Sequence, residues 1–448
     1  MPYTYHTEDD RKEMLQRLGV ESEDQLFEQI PSACRIPGPL PLAAGKTEPE
    51  TMRMFVEIAE KNRPAATMLS FLGGGIYDHF VPALVRHLAG RPEFATAYTP
   101  YQAEVSQGTL QVIFEFQTHI SRLTGMPVAN ASMYDAASAL AEATLMAAKI
   151  KGRNTVLYPA GLNPHYLAVM RRYATGQGIA LQPVPFTAGS GQLDTDALRE
   201  QLSPDVAGLI VQTPNYFGVL EQPWTYEADL HQAGALLVAC VDPISLAVFR
   251  QPGAYGADIV VGEGQSLGND MNFGGPLLGF MACGEPFFRQ MPGRIVSATR
   301  DVDGKEAYVL TLQTREQHIR REKATSNICT NQGLLATRAT IYLSLLGETG
   351  LVELGRVCCE RAHRLAQLVV GCPGFALRFD GPFFREFVVQ CPKDAAAVVD
   401  AARGDGILAG IPLSRYFGDA ARRDLLVTTT EKHTEADYNR FCSVLRKV

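Results

Sequence analysis

The middle of the chain alternates between short apolar runs and longer amphipathic stretches. Apolar runs predict strands at residues 155–158, 179–184, 208–212, 236–241, 258–261 and 276–283. Helical periodicity between them predicts helices at residues 135–151, 164–173, 194–202 and 226–233. Apolar strands separated by helices indicate a mostly parallel sheet that is covered on both faces. We therefore predict a large α/β domain over residues 61–330.

The N-terminal part has a different pattern. Thr7 with Asp10, and Ser22 with Gln25, have the spacing of capping boxes ahead of apolar pairs, so residues 1–35 are predicted to be helical. The four prolines that follow (Pro31, Pro37, Pro39 and Pro41) then indicate an extended segment, and a helix is predicted at residues 48–62. We assign residues 1–60 to an N-terminal helical arm. Such an arm either wraps its own chain or lies on a partner in an oligomer.

The C-terminal part mixes helices and strands. A long helix is predicted at residues 331–346, where Gly347 resets the chain before a further helix at residues 351–371. Strands at residues 387–390 and 425–427 and a helix at residues 434–445 complete a smaller α+β domain, residues 331–448. Outside this domain, we also predict a helix over residues 106–125 with Gly125 as its C-cap, and a hairpin turn at residues 301–305.

Composition narrows the class of protein. A chain of 448 residues, 46% of them hydrophobic, is long enough for more than one domain. The net charge of -7 and the absence of a Lys/Arg-rich run argue against nucleic acid as a partner. No apolar run approaches the ~20 residues of a membrane helix. Nine scattered cysteines without a CxxC pair, and an N-terminus unlike a signal peptide, predict a cytoplasmic protein.

Metal-binding motifs are missing from the sequence. Neither HExxH nor CxxC occurs, so we predict no metal site. Cys329 has no neighbouring histidine and is predicted to be a buried structural thiol.

The stretch from Asp258 to Gly279 has the order strand, glycine-rich loop, strand. In one large class of enzymes this unit carries a lysine that holds pyridoxal phosphate as a Schiff base. Here the loop contains Gln265 and Ser266 and no lysine. A glutamine amide cannot form a Schiff base, so this chain alone is not expected to carry out that chemistry.

Two further stretches are candidates for cofactor contacts, because ligands of parallel sheets bind beyond the carboxyl ends of strands. Asp242 follows a predicted strand and could hold the pyridine nitrogen of the cofactor, or it could simply cap the next turn. Ser132, Tyr134 and Asp135 precede the alanine-rich helix, whose N-terminus could bind phosphate. Plain capping by Asp135 is the alternative, since its charge would repel phosphate and no glycine is present there.

The loop from Tyr98 to Gln107 is dense in large polar side chains. It contains two phenols, Tyr98 and Tyr101, and the amides of Gln102 and Gln107, just ahead of a long predicted helix. Loops of this kind often bind ligands or partners. The alternative is that the tyrosines are half-buried and Pro100 fixes the turn.

Several strings taken together give the chain a family resemblance. It resembles the glycine decarboxylase P-proteins of the glycine cleavage system and, within them, subunit 1 of the two-subunit bacterial form. The matching strings span nearly the whole chain: Glu8-Asp9, Met14-Leu15, Gly19-Val20, Arg91-Pro-Glu-Phe94, Tyr98-Thr-Pro-Tyr-Gln102, Ser106-Gln-Gly108, Gln117-Thr118, Leu123-Thr-Gly125, Asn130-Ala-Ser132, Tyr134-Asp135, Ala141-Glu-Ala143, Phe273-Gly-Gly-Pro276 and Arg321-Glu-Lys-Ala-Thr-Ser-Asn-Ile-Cys329.

The resemblance implies a fold and a set of site residues. The fold is that of fold-type-I, aminotransferase-like enzymes, with a mostly parallel seven-stranded sheet and a smaller α+β domain. The active site lies between a subunit 1 and a subunit 2 that supplies the cofactor lysine, so Gln265 stands in the lysine's place. Ala136 stands where the family more often has glycine. The expected residues of the interface pocket are Tyr98, Thr99, Tyr101, Gln102, Gln107, Ser326 and Asn327. The expected vestigial cofactor contacts are Ser132, Tyr134, Asp135, Asp242, Gln265 and Ser266.

The resemblance also implies an activity. With subunit 2, in a two-plus-two heterotetramer, the chain would decarboxylate glycine through pyridoxal phosphate and pass the aminomethyl group to the lipoyl arm of the H-protein. Two alternatives stay open. The chain could be a scaffold that only stabilises subunit 2 or docks the H-protein, or it could be a self-sufficient enzyme that uses Lys305 or Lys323.

Overall fold

The computed structural model describes residues 5–36, 38, 40–272, 274–328 and 330–447. The predictions for Pro37, Pro39 and the Cys329 thiol lie outside these residues. The described chain divides into two compact units, one up to Pro64 and one from Ala65 onward. The further division of the second unit near residue 330 stays a prediction.

Among its described residues, the first unit contains two α-helices, and neither has a buried residue. Helix α1 spans Glu8–Leu18 and helix α2 spans Glu48–Ala59, with short 3-10 turns at Glu23–Phe27 and Ser32–Cys34. The predicted capping box of Thr7 and Asp10 is confirmed, with Asp10 N donating to Thr7 Oγ1 at 3.2 Å. The predicted cap at Ser22 is wrong, because a short 3-10 turn forms there and the side chain of Gln25 accepts from Glu21 N at 2.7 Å instead.

The second unit contains the remaining helices and all described strands. Its strands are β1 Leu69–Ser70, β2 Val128–Ala129, β3 Thr155–Pro159, β4 Ala180–Val184, β5 Val206–Thr213, β6 Leu236–Val241, β7 Ile259–Glu263, β8 Gly279–Cys283, β9 Ile295–Arg300, β10 Glu306–Thr311, β11 Ala376–Leu377, β12 Glu386–Gln390, β13 Ile407–Leu408, β14 Ile411–Pro412 and β15 Asp424–Thr428. Its helices are α3 Ala83–Ala89, α4 Pro92–Ala95, α5 Gln107–Thr124, α6 Ala136–Lys151, α7 Pro164–Gly176, α8 Thr195–Gln201, α9 Glu227–Gln232, α10 Gln317–Arg320, α11 Gly333–Val370, α12 Ala395–Gly404, α13 Ser414–Phe417 and α14 Glu435–Leu445.

The central sheet has seven strands in the order β2-β8-β7-β6-β5-β3-β4. Strands β7, β6, β5, β3 and β4 are parallel, whereas β8 is antiparallel to both β7 and β2. Alternate side chains of a strand face opposite sides of the sheet. Accordingly Leu237 and Ala239 join one core cluster, which includes residues of α5 and α11, while Val238 and Cys240 join another, with α6 and α7. The predicted mostly parallel α/β sheet, covered on both faces, is confirmed.

The C-terminal elements form a second sheet with the order β11-β12-β15-β14. Its core cluster takes residues from α11, α12 and α14. The predicted break at Gly347 is confirmed, since this residue interrupts α11 with φ 60° and ψ -171°. The predicted turn at residues 301–305 is also confirmed and joins the antiparallel strands β9 and β10.

A contact that the sequence did not predict joins distant segments. Strand β1 pairs in parallel with β13, so Leu69 lies opposite Ile407. Residues 71–80, which follow β1, are thereby held beside β12 and β15. The backbone N–H of Thr428 donates to the backbone oxygen of Phe71 at 3.0 Å. None of the helices in the described parts of the chain combines the length and apolarity needed to cross a membrane.

Candidate functional site

The carboxyl ends of β6 and β7 meet in the middle of the central sheet, where parallel sheets bind their ligands. The space beyond them is small. A cavity of about 30 Å³ is lined there by Tyr77, Tyr166, Asp242 and Glu263, among others. Cofactor and ligand pockets are usually roughly 300–1,000 Å³, so this cavity holds no more than a few water-sized groups.

Gln265 lies two residues beyond the end of β7 and is 1% exposed. Both polar atoms of its side-chain amide are hydrogen-bonded within the chain. The amide nitrogen donates to the backbone oxygens of Tyr77 at 3.0 Å and Asn269 at 2.9 Å. The amide oxygen accepts from Tyr77 N at 2.9 Å. Gln265 therefore holds residues 71–80 against the central sheet, and both polar atoms of its amide already have partners within the chain.

Glu263, the last residue of β7, sends its carboxylate to the N-terminus of α6. Its Oε2 accepts from Ala136 N at 3.0 Å, and its Oε1 accepts from Gln265 N at 3.0 Å and Leu278 N at 2.9 Å. Burial raises the pKa of this carboxyl to about 7, and the three N–H donors offset part of that rise.

Asp242 is engaged through both oxygens. Its Oδ1 accepts from Ile244 N at 3.0 Å, as expected if it caps the next turn. Its Oδ2 lies 2.5 Å from Nη2 of Arg385, which is 1% exposed and stacks 3.5 Å from the centroid of the Tyr77 ring. A buried arginine therefore neutralises the carboxylate that would otherwise face a pyridine nitrogen.

The glycine run at residues 73–75 brings Tyr77 and His79 into this region. A Cβ at Gly73 would lie 2.0 Å from Thr428 Oγ1, so only glycine passes there. Beyond the run, the Tyr77 hydroxyl donates to Glu386 Oε2 at 2.6 Å. His79 Nδ1 lies 2.6 Å from Glu431 Oε2.

Sequence reasoning missed Tyr77, His79, Glu263, Arg385 and Glu386. The pair Arg385-Glu386 at the start of an apolar strand was a usable signal, because charges in such a position are rarely buried unless paired. Glu263, between two glycines at the end of a buried strand, was another.

The residues at the strand ends do not fit pyridoxal phosphate. A glutamine, whose amide is hydrogen-bonded within the chain, replaces the lysine. The Glu263 carboxylate lies at the helix N-terminus where a phosphate would bind. Asp242 is paired with Arg385. Ser266 is 2% exposed, and its hydroxyl has no hydrogen-bond partner among the described residues. A single free hydroxyl is not a phosphate site.

The other three candidate cofactor contacts have separate roles. Asp135 caps α6, accepting from Ser138 N at 2.7 Å, as the capping alternative predicted. Ser132 Oγ accepts from Asn331 Nδ2 at 2.6 Å and from Gln332 N at 3.1 Å. Tyr134 is half-buried and packs against the core cluster that includes residues of α6.

The loop from Tyr98 to Gln107 is an anchored surface loop. The Tyr98 side chain is 81% exposed, and its hydroxyl accepts from Thr330 Oγ1 at 3.2 Å. Thr99 Oγ1 also lies 3.1 Å from Thr330 Oγ1. The Tyr101 hydroxyl accepts from Nη2 of Arg294, a buried residue, at 2.9 Å.

The two glutamines of this loop differ. Gln107 pairs with both backbone groups of Tyr308 at 2.9 Å and so supports β10. Gln102 has an exposed side chain.

Ser326 and Asn327 line a different cavity. This cavity of about 420 Å³ also has Glu142, Tyr173 and Gln177 in its wall. Ser326 Oγ donates to Glu142 Oε1 at 2.8 Å. The candidate interface residues therefore lie in two places. Ser326 and Asn327 line this second cavity, whereas Thr330, later in the same segment, contacts Tyr98 and Thr99.

One trio in the described part of the chain could in principle bind a metal: ligand atoms of His79, Cys358 and Glu431 lie within 4.8 Å of one another. A guanidinium can only donate, so the contact of Arg385 Nη1 with His79 Nε2 makes Nε2 the acceptor. His79 Nδ1 then carries the proton that it donates to Glu431. Because Nδ1 is protonated in this arrangement, we do not interpret the trio as a metal site.

Comparison with known proteins gives consistent matches over the full chain. The family described as "Glycine cleavage system P-protein" matches residues 1–445. A relative from Prosthecochloris aestuarii, "Probable glycine dehydrogenase (decarboxylating) subunit 1", is 47% identical over 441 residues and covers 98% of each chain. A relative of the same description from Moorella thermoacetica is 46% identical and covers 100% of each chain.

Solved structures agree. A crystal structure of glycine decarboxylase (P-protein) of the glycine cleavage system, in inhibitor-bound form, has a TM-score of 0.90 at 44% identity and covers 100% of both chains. Glutamate decarboxylase from Lactobacillus brevis has a TM-score of 0.68 at 12% identity, covering 94% of this chain and 96% of its own, and shows the shared fold alone. The predicted fold, that of the fold-type-I pyridoxal-phosphate-dependent enzymes, is thereby confirmed. The chain belongs to the P-protein family of the glycine cleavage system.

Proposed function

We propose that this chain works as subunit 1 of a two-subunit, glycine-decarboxylating P-protein, and that a lysine-bearing subunit 2 holds the pyridoxal phosphate. One observation carries the proposal: a chain of this family has the cofactor fold, yet its own side chains fill the cofactor's place. Gln265, Glu263 and the Asp242–Arg385 pair leave about 30 Å³ there. The H-protein as acceptor of the aminomethyl group, a two-plus-two assembly and a cytoplasmic location belong to the same proposal.

In this proposal the chain contributes the Tyr98 loop to a site shared with subunit 2. The Tyr101 hydroxyl accepts a hydrogen bond from Arg294, and the Thr330 hydroxyl contacts the hydroxyls of both Tyr98 and Thr99. The Tyr98 phenol and the Gln102 amide remain turned to solvent and available across an interface. Their role would be to orient glycine and to exclude water from the partner's pocket.

The location of the cofactor tests the proposal directly. The reconstituted complex is reduced with borohydride, digested and examined by mass spectrometry for the residue that carries the cofactor. We expect the label on subunit 2 alone. A label on this chain would overturn the assignment.

The contribution of the loop is tested by Tyr98→Phe and Gln102→Ala in the reconstituted complex. Each should lower the glycine–bicarbonate exchange rate by roughly 100-fold, as expected when a group that positions the substrate is lost, while the native mass of the complex stays the same. Tyr308→Phe is the matched control, because its hydroxyl contacts only the exposed Glu306 among the described residues. Unchanged exchange with intact assembly would support the scaffold alternative.

A self-sufficient enzyme is disfavoured by the positions of its candidate lysines. Lys305 lies in the turn between β9 and β10, with its side chain 76% exposed and its Nζ 3.7 Å from Asp303. Lys323 is exposed as well. Neither lines the cavity at the ends of β6 and β7.

A further inference from the structure

The carboxylate of Glu263 sits where N–H groups from three separate segments converge. Ala136 is the first residue of α6, Gln265 belongs to the loop after β7, and Leu278 immediately precedes β8. Their N–H groups reach the two carboxylate oxygens at 3.0, 3.0 and 2.9 Å. Glu263 is 7% exposed and Leu278 is fully buried, so water does not compete for these donors freely.

Such a convergence is an anion site by its chemistry. The first N–H groups of a helix have no partner inside the helix, and the helix dipole adds positive potential at that end. α6 has 16 residues and ends in a left-handed Gly152, so it is a full helix with an intact dipole. Asp135 already satisfies Ser138 N, and Glu263 satisfies Ala136 N.

We propose that Glu263 is an internal substitute for the cofactor's phosphate, and that it excludes pyridoxal phosphate from this chain independently of the missing lysine. The inference deepens the proposed function, on which it rests, by identifying what keeps this subunit free of cofactor. A phosphate cannot reach the same N–H groups while the Glu263 side chain occupies them, and the ionised fraction of the carboxyl would repel it as well. Glu263 must leave before a phosphate can enter.

Restoring the amine alone should therefore fail. In a Gln265→Lys variant the phosphate position stays filled, and the new ammonium lies two residues from the Glu263 carboxylate, which can neutralise it. The Ser266 hydroxyl is buried and has no partner among the described residues. It becomes available to a phosphate only once the Glu263 carboxylate is removed.

The test compares Gln265→Lys, Glu263→Ala and the double variant Glu263→Ala/Gln265→Lys in the full chain. Each is titrated with pyridoxal phosphate, and with pyridoxal as the probe that lacks the phosphate. Binding is followed by the visible absorbance of the Schiff base, then by borohydride reduction and mass spectrometry. We expect the double variant to bind pyridoxal phosphate at residue 265 at least tenfold more tightly than Gln265→Lys. It should also prefer pyridoxal phosphate to pyridoxal at least tenfold.

A conservative variant distinguishes the effects of the charge and volume of the Glu263 side chain from a general loosening of the fold. Glu263→Gln/Gln265→Lys keeps the side chain's volume and one of its two acceptor oxygens but removes the charge, so it should bind less tightly than the alanine double variant. Equal binding by Gln265→Lys and the alanine double variant would overturn the inference. So would an alanine double variant that binds pyridoxal as well as pyridoxal phosphate.

Inorganic phosphate gives a second readout that depends on neither the new lysine nor the cofactor. Phosphate should raise the Tm of Glu263→Ala in a concentration-dependent way and leave that of the wild-type chain unchanged. An equal response of both chains would overturn the inference. Failure of the proposed function would appear elsewhere, as cofactor on the unmodified chain or as a reconstituted complex without exchange activity.

Discussion

At the scale of single residues, two buried glutamates and one half-buried glutamate show opposite electrostatic behaviour. Burial raises the pKa of Glu263 and of Glu221 to about 7, because neither carboxyl faces a cation. Burial acts in the same direction on Glu431, but His79 and the N–H of Phe80 outweigh it and lower that pKa to about 2. The charge state of each carboxyl therefore follows from the group that faces it.

The raised pKa of Glu263 predicts a pH dependence of stability. Between about pH 4.5 and pH 7 the folded chain holds this proton and the unfolded chain does not, so the free energy of unfolding falls as pH rises through that window. Glu263→Gln should remove this contribution, at most about 3 kcal/mol. Urea unfolding of variant and wild type at several pH values measures the difference.

Two further variants serve as controls for this measurement. Glu221→Gln should remove a similar pH dependence independently, since burial has raised its pKa to the same region. Glu57→Gln, on the exposed surface of α2, should leave the pH dependence as in wild type. A Glu263→Gln chain with the wild-type dependence on pH would contradict the buried, partly protonated state of Glu263.

The Asp242–Arg385 ion pair predicts strong coupling. Arg385→Met leaves a buried carboxylate without its cation and should lower the free energy of unfolding by about 3–5 kcal/mol. Adding Asp242→Asn should restore part of the loss, because no uncompensated charge then remains. A double-mutant cycle by urea unfolding measures the coupling. Strictly additive effects would show that the pair does not act as a unit.

Only part of this residue-level detail was predictable. The local order of strand, glycine-rich loop and strand was enough to identify Gln265 as a candidate site residue. The position of Asp242 directly after a predicted strand was enough to identify it as another. Their partners were not predictable, because Tyr77 is 188 residues from Gln265 in sequence and 309 from Glu386. Spacing along the chain carries no information on which distant side chains meet.

At the scale of elements, long periodic segments were predictable and short ones were not. α5 and α6 were predicted to within one residue at each end, because both are long, periodic and closed by a left-handed glycine. β1 and β13 have two residues each and exist because they pair with each other. A two-residue strand has no period of its own, so its pairing depends on the surrounding fold.

The segment that follows β1 passes too close to its neighbours to tolerate a side chain at Gly73. Gly73→Ala would place a Cβ 2.0 Å from Thr428 Oγ1 and 2.3 Å from Glu386 Oε1. The segment must then shift, and with it Tyr77 and His79. We expect a loss of about 2–4 kcal/mol in the free energy of unfolding, measured by urea unfolding.

Gly108→Ala is the matched control for that variant. Gly108 lies in α5, and an added Cβ there meets no atom within 4 Å. Alanine should be neutral or should stabilise the helix by up to about 1 kcal/mol. Equal effects of the two substitutions would contradict the close passage of residues 71–80.

At the scale of the whole molecule, the description of the relatives as subunit 1 implies a partner subunit, and α2 is a candidate contact for it. Met52, Phe55 and Val56 have the spacing of one helical face and are 58%, 59% and 49% exposed. Burying such a side chain in an interface contributes about 1.5–3 kcal/mol.

Phe55→Glu should therefore weaken association with subunit 2 at least tenfold and leave the chain's own unfolding midpoint unchanged. Analytical ultracentrifugation of the two-subunit mixture measures the association. Glu57→Gln on the same helix is the control. An unchanged association constant for Phe55→Glu would place the interface elsewhere.

The resemblance predicted the fold and the family but not the arrangement of the candidate pocket. Ser326 and Asn327 were grouped with Tyr98 because their strings are equally specific to the family. In the fold, Ser326 donates to Glu142, and among the described residues of the same segment it is Thr330 that donates to Tyr98. Family strings identify residues of interest without showing which of them share a site.

The carboxylate at the N-terminus of α6 is a permanent occupant of its N–H groups. A bound ligand stabilises its protein only in proportion to its free concentration, so an enzyme that depends on pyridoxal phosphate loses stability when the vitamin is scarce. Glu263 is part of the chain, so its effective concentration never changes. In the proposed two-subunit enzyme, the stability of this chain would therefore not vary with the supply of pyridoxal phosphate.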